Sequence, residues 1–169
     1  MPTKCDYGYC AIHYACYYGD SASIKTLVKF GADLDVPNKQ GLQAMHLAAK
    51  ADLPFPITFL MKRGVDVDCK DNEGRTPLHL ACEQGSDEAI YYLLAWTKDV
   101  SAQDNFGQTP LHHAVMNIYQ YGHFRSLKEM LIKGASRELK DSQGKTPLDL
   151  IDANVPMFQR VELEAILGK

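Results

Sequence analysis

The sequence predicts an all-α repeat solenoid, built from paired antiparallel helices with projecting β-turn fingers. Three observations predict it: glycines recur at a fixed interval, a helix-start motif follows each glycine, and an apolar stripe with helical spacing follows each motif. The glycines Gly8, Gly41, Gly74 and Gly107 stand 33 residues apart, and Gly144 follows 37 residues later. A period in this range indicates stacked units, each of which buries its apolar face only against its neighbours.

A first helix is predicted directly after each of these glycines. Residues 76–79 read Thr-Pro-Leu-His, in which threonine can cap a helix N-terminus, proline suits the first helical position and histidine can reach back to the cap. Residues 109–112 repeat the motif, and residues 146–149 end it with Asp. Cys10 and Gln43 replace the threonine in repeats one and two, so we expect those caps to be lost at about 1 kcal/mol each.

A second helix is predicted in each repeat because apolar residues return at helical spacing. The stripe comprises Ile24, Leu27 and Val28, then Ile57, Leu60 and Met61, then Ile90, Leu93 and Leu94, then Leu127, Met130 and Leu131, and finally Leu163, Ile166 and Leu167. The implied repeats span residues 6–38, 39–71, 72–104, 105–141 and 142–169, within a single domain covering 1–169.

Three irregularities interrupt the period. The prolines in residues 53–56, which follow Asp52 at an expected glycine position, fit only in the first turn of the second helix of repeat two. Four extra residues between Val115 and Tyr121 either lengthen the first helix of repeat four or enlarge its loop. Thr97 replaces a helix-ending glycine in repeat three, where we expect a local distortion.

The motif Gly-x-Thr-Pro-Leu-His, recurring in register at this period, resembles the ankyrin repeat over residues 6–167. The resemblance implies a protein-binding module, an adaptor or scaffold, that holds a partner protein or extended peptide on its concave face and finger tips. Carried onto this sequence, the partner-binding residues are Tyr9, Tyr17, Tyr18, Leu42, Lys50, Arg75, Glu83, Phe106, Gln108, Met116, Asn117 and Tyr119. Tyr91, Tyr92 and Trp96 lie on or beside a second helix, where we expect partial burial.

Composition and motifs argue against other classes of function. A formal charge of −3 gives no polycationic surface for nucleic acid, and no apolar run approaches the roughly 20 residues of a membrane span. Five cysteines without CxxC spacing favour a reducing compartment over a disulfide framework, so we expect an intracellular, cytoplasmic location. We expect a monomer with no cofactor.

Catalytic and metal sites are not expected. The motif histidines share one repeat position, which indicates a structural role: His13, His46, His79 and His112. Cys16 and Cys82 occupy alanine-like core positions, and no ligand set has zinc spacing. The sequence contains no nucleophile elbow, phosphate-binding loop or zinc-protease motif, so the chain is not expected to be an enzyme.

Two alternative functions stay open from the sequence. Residues 140–150 are loosely similar to the ankyrin domain of membrane palmitoyltransferases, in which case this chain would recruit substrates for an Asp-His-His-Cys catalytic domain that it does not itself contain. The length is also similar to that of the small ankyrin inhibitors of cyclin-dependent kinases, whose distinguishing mark is a shortened first helix in repeat two.

Overall fold

The computed structural model describes residues 7–121, 124–151 and 156–168, and this part of the chain is helical without any strand. The helices are α1 (Ala11–Tyr18), α2 (Ser21–Lys29), α3 (Ala44–Lys50), α4 (Pro54–Lys62), α5 (Pro77–Gln84), α6 (Asp87–Leu94), α7 (Pro110–Tyr121), α8 (Arg125–Ile132), a 3₁₀ turn at Leu148–Leu150 and α9 (Met157–Leu167). No helix in the described part is long and apolar enough to cross a membrane.

The helices form two layers. Helices α1, α3, α5 and α7 contact one another in order, and so do α2, α4, α6 and α8. Each first helix also packs on the second helix of its own repeat, from α1 on α2 to α7 on α8. The all-α ankyrin-type solenoid expected from the sequence is confirmed.

The hydrophobic core lies between these two layers. The first residue of each predicted stripe is almost completely buried: Ile24, Ile57, Ile90, Leu127 and Leu163. The facing alanines of the first helices are buried as well: Ala15, Ala48, Ala81 and Ala114. Because alanine adds no more than a methyl group, consecutive first helices can approach closely and share one continuous core.

The histidine of each helix-start motif is buried and joins two repeats. The amide of Thr76 donates to Nδ1 of His79 at 3.1 Å, and Nε2 of His79 lies 3.1 Å from the carbonyl oxygen of Gln108 in the next repeat. Since an amide only donates and a carbonyl only accepts, the ring is neutral and carries its proton on Nε2. Equivalent pairs of bonds form at His13, His46 and His112.

The expectation that repeats one and two lose their caps is therefore only half right. The amides of Cys10 and Gln43 still donate to the motif histidines, at 2.9 and 3.2 Å. Only the threonine hydroxyl is missing, which in Thr76 and Thr109 lies 2.9 and 2.8 Å from the same ring nitrogen. The histidine supplies half of the cap without the threonine.

Two of the irregularities, the prolines of repeat two and the extra residues of repeat four, have the structure expected from the sequence. Helix α4 begins at Pro54, so that the proline ring occupies a position where no amide donor is needed. Helix α7 has 12 residues where α5 has 8, which shows that the extra residues of repeat four lengthen its first helix by about one turn.

Asp52 and Thr97 occupy glycine positions and are held by bonds to neighbouring repeats. Asp52 has a left-handed φ of 55°, and its carboxylate accepts a hydrogen bond from the Ala89 amide at 2.8 Å, in the first turn of α6. The Thr97 hydroxyl donates to Asp68 at 2.5 Å, and the Lys98 amide donates to the other oxygen of that carboxylate at 3.0 Å. Both departures from glycine thus tie consecutive repeats together.

Candidate functional site

The turns between repeats project as fingers, each held by the first side chain of the turn. Oδ1 of Asp71 accepts hydrogen bonds from the amides of Glu73 and Arg75, both at 2.9 Å. Asn38, Asp104 and Asp141 accept the same two bonds in their own fingers. Two bonds to one oxygen fix the path of each finger, so that the side chains at its tip hold defined positions.

Neighbouring fingers are joined edge to edge. The amide of Asn72 donates to the carbonyl of Gln40 at 3.0 Å, and the amide of Asn105 donates to that of Glu73 at 2.9 Å. Gly41 has a φ of +79°, and a Cβ there would lie 2.6 Å from the Asn72 nitrogen. Glycine is required at this position both by the left-handed backbone and by the next finger, which leaves no space for a side chain.

A groove opens between repeats one and two on the inner face, by which we mean the side formed by the first helices and the fingers. We call it the tyrosine groove; its volume is about 260 Å³. Its lining comprises Tyr9, His13, Tyr14, Tyr17, Tyr18, Gln40, Leu42, Leu47 and Lys50. The exposed fractions of Tyr17 and Tyr18 are 42% and 74%, so their rings remain available to a ligand.

The tyrosine rings of this groove support one another over an apolar floor. The centroids of Tyr17 and Tyr18 lie 5.3 Å apart with nearly perpendicular rings, and those of Tyr9 and Tyr14 lie 5.7 Å apart. Both distances are favourable for aromatic pairs. Leu42 and Leu47 form the floor, buried in a small cluster against which Tyr9 packs.

The middle of the inner face carries a network of ion pairs. The Arg75 guanidinium lies 2.9 Å from Asp71, 3.1 Å from Glu73 and 3.7 Å from Glu83. Lys50 occupies in repeat two the place of Glu83 in repeat three and makes no salt bridge with any described residue. The charges of repeat three are largely paired with one another, whereas Lys50 lines the groove without an ion-pair partner among the described residues.

Repeat four contributes a buried polar pair and two exposed apolar side chains. His113 Nε2 lies 3.1 Å from Oδ2 of Asp104. Burial opposes ionisation of Asp104, but hydrogen bonds from His113 and from two backbone amides outweigh it and lower the pKa of the carboxyl group. Phe106 at the finger tip is 54% exposed, and Met116 on α7 is 40% exposed.

The structure separates the predicted site residues by exposure. Those exposed to solvent are Tyr17, Tyr18, Lys50, Phe106 and Met116, and those half-buried are Tyr9, Arg75, Glu83, Gln108 and Asn117. The expectation that Leu42 is an exposed contact is wrong: it is 6% exposed because it packs with Leu47 and Leu80 beneath Tyr9. The side chain of Tyr119 lies outside the described residues.

Sequence reasoning missed one wall of the groove. This wall is Tyr14, which is 46% exposed. The signal was available, because Tyr14 stands where repeats two and three have Leu47 and Leu80, both buried. A tyrosine at a position that is otherwise a buried leucine indicates a local difference in exposure.

The outer face, formed by the second helices, is more aromatic than the sequence led us to expect. Tyr91 and Trp96 are 54% and 61% exposed, so the expectation of partial core burial is wrong for both, whereas Tyr92 is half-buried. The equivalent residues in repeat four are Lys128 and Lys133, which are also exposed. These positions point away from the first-helix layer, where nothing covers them within the described part of the chain.

The thiols of Cys16 and Cys82 are buried. Burial raises the pKa of the thiol of Cys16 to about 12 and also raises that of Cys82, which keeps both as unreactive thiols. Among the described residues, no group of three His, Cys, Asp or Glu side chains is placed to hold a metal ion.

Comparison with known families agrees with this geometry. A family model described as ankyrin repeats, in three copies, matches residues 2–68 and 54–141. Comparison with curated proteins gives no match. The matched residues, the two-layer helix stack, the fingers and the bridging histidines together show that the chain belongs to the ankyrin-repeat family.

Proposed function

We propose that this protein binds a partner protein or an extended peptide along its inner face and finger tips, as an adaptor or scaffold. Ankyrin repeats are in general protein-interaction modules, which makes the class of function clear. The observation that supports this particular location is the tyrosine groove at one end of the inner face, together with exposed Phe106 and Met116 towards the other.

The residue types at both ends are those that dominate interface energetics. Tyr, Phe, Met and Arg are enriched at the cores of interfaces, and a few buried aromatic anchors carry most of the binding energy. Between the two ends lie Glu83 and Arg75, which are charged. An extended peptide with apolar anchors at two points suits such a surface.

The test begins with an affinity pull-down from the source cell, using the intact chain as bait, followed by calorimetry with the recovered partner. Tyr18→Ala, Phe106→Ala and Tyr119→Ala should each weaken binding by roughly 30-fold where the residue is an anchor, which corresponds to about 2 kcal/mol. Tyr91→Ala is the matched control because it removes from the outer face an aromatic ring as exposed as that of Phe106. Its affinity should equal that of the unmodified chain.

Two results would contradict the proposal. Retention of no protein, combined with tight binding of a nucleotide or metabolite, would remove the interaction function. Unchanged affinity in all three inner-face variants, with binding abolished by Trp96→Ala, would move the binding surface to the outer face.

The two alternative functions receive no specific support from the structure. Helix α3 has seven residues where α1 and α5 have eight, a difference within the normal variation of helix ends. The shortened first helix of the small kinase inhibitors is therefore absent from repeat two. Recruitment of substrates to a palmitoyltransferase domain would depend on the same inner face and stays a prediction.

A further inference from the structure

The tyrosine groove is small, apolar at its base and cationic at its rim. Its floor is Leu42 and Leu47, its walls are tyrosine rings, and Lys50 and Gln40 are exposed at its edge. None of the described residues that line it is acidic. Within the described part of the chain no carboxylate lines the groove, so a ligand can supply the complementary charge.

The size of the groove limits the ligand to one or two side chains. At about 260 Å³ it is smaller than the clefts of roughly 300–1,000 Å³ that hold drug-sized molecules. Its walls are the flat faces of tyrosine rings, which can pack against another apolar side chain. A single large apolar residue of a peptide fits these dimensions.

Lys50 determines which charge should accompany that residue. In the next repeat the equivalent side chain is Glu83, which lies near Arg75, whereas Lys50 has no carboxylate partner among the described residues. Its ammonium group can therefore pair with a carboxylate from outside the protein. Tyr17 and Tyr18 line the same groove, and a tyrosine hydroxyl group can donate a further hydrogen bond to a carboxylate bound there.

The opposite charge, a cationic side chain held between the tyrosine rings, is less compatible with these residues. Aromatic walls do attract ammonium groups, as in the cages that bind methylated lysine. Here, however, Lys50 lines the same groove, and no acidic lining residue compensates for it. A second cation would meet repulsion from Lys50 that no acidic lining residue offsets.

We propose that the tyrosine groove binds a short acidic segment of the partner, placing one aromatic or large aliphatic side chain between the tyrosine rings and an adjacent Asp or Glu carboxylate against Lys50. This inference rests on the proposed function, because it assigns a class of ligand to one end of the same inner face. It adds a charge requirement that an interaction surface in general does not have.

The experiment is selection from a phage-displayed library of short random peptides on the intact chain. The selected peptides should be rich in Asp and Glu next to an aromatic residue or leucine. Synthetic copies, measured by fluorescence anisotropy, should bind Lys50→Glu about 10-fold more weakly and Tyr18→Ala about 30-fold more weakly than the unmodified chain.

Two control variants separate the groove from general effects of charge and aromatic loss. Lys62→Glu makes the same charge change at an exposed position of α4 on the outer face, and Tyr91→Ala removes an exposed outer ring. Both should bind the selected peptides with unchanged affinity. Circular dichroism of all four variants would confirm that each remains folded.

Several outcomes would overturn the inference without touching the proposed function. These are selection of no peptide, selection of basic or uncharged peptides, equal effects of Lys50→Glu and Lys62→Glu, or tighter binding of a trimethyl-lysine peptide than of the acidic ones. If the pulled-down partner still depended on Phe106 and Tyr119, the interaction function would stand with a different ligand class at the groove.

Discussion

Protonation of His79 should destabilise the stack as the pH falls below neutrality. Burial, followed by the nearby His113, lowers the pKa of His79 from its ordinary value of 6.5 to about 4. Between these two pH values the unfolded chain binds a proton at His79 that the folded chain does not. The contribution of His79 to stability is therefore fully present above the pKa of the unfolded chain, and it is lost as the pH falls towards the pKa of the folded chain. Because one pKa unit corresponds to 1.36 kcal/mol, the lowered pKa of His79 alone should reduce the free energy of unfolding by about 2 kcal/mol at about pH 5.

Urea unfolding followed by circular dichroism, between about pH 5 and pH 7.5, measures this effect. The informative variant is His79→Gln, because the glutamine oxygen can accept the Thr76 amide as in a capping box but cannot titrate. Loss of the bond to Gln108 should lower its stability by about 1 kcal/mol near neutrality. Its loss of stability on acidification should be smaller than that of the unmodified chain by up to about 2 kcal/mol.

Burial also lowers the pKa values of His46 and His112, so only the difference between His79→Gln and the unmodified chain reports on His79. The carboxyl group of Asp104 has a lowered pKa, so its contribution to stability is lost only as the pH falls below the ordinary Asp value of about 3.9. Lys98→Gln serves as a control, since it changes an exposed residue of the same repeat and leaves the motif histidines in place. Identical pH dependence in His79→Gln and the unmodified chain would refute the reasoning.

Three further predictions concern the stability of the stack. Leu93→Ala should lower the free energy of unfolding by about 2–5 kcal/mol in urea titrations, because Leu93 is 1% exposed; a loss below 1 kcal/mol would show that the site collapses without a cavity. Asp52→Ala should lower the free energy of unfolding by about 1–3 kcal/mol, because it removes the hydrogen bond to α6 and leaves alanine in an unfavourable left-handed conformation. Asp52→Asn should lower it by less. Hydrogen exchange should be faster at Ile12 to Lys29 than at Leu78 to Leu94, since α2 buries one residue where α6 buries four; equal protection would contradict this.

The period and the core could be predicted from the sequence because both depend on local rules. Glycines at finger turns, Thr-Pro at helix starts and apolar residues at helical spacing each report on backbone geometry within a few residues. Pro54 therefore begins α4 as predicted, and the buried stripe from Ile24 to Leu163 agrees with the structure. The partner-binding assignment of individual residues is still a prediction.

The exposure of individual surface side chains could not be predicted from local sequence patterns, because it depends on contacts between repeats. Leu42 is buried because it packs with Leu47 and with Leu80, which comes from another repeat, and Tyr91 is exposed because nothing in the described chain covers the outer layer.

The sequence by itself determined the family, the helix order and the core of this protein. These depend on local turn, helix-cap and helix preferences, which recur at the same positions of each repeat. Only the tertiary structure decided that the motif histidines cap one repeat and bridge to the next, and that Asp52 caps α6 of the neighbouring repeat. It also brought Tyr14 and Lys50 to the same groove. The physical reason is that such bonds and grooves join atoms of different repeats, whose relative placement is set by packing across the whole stack.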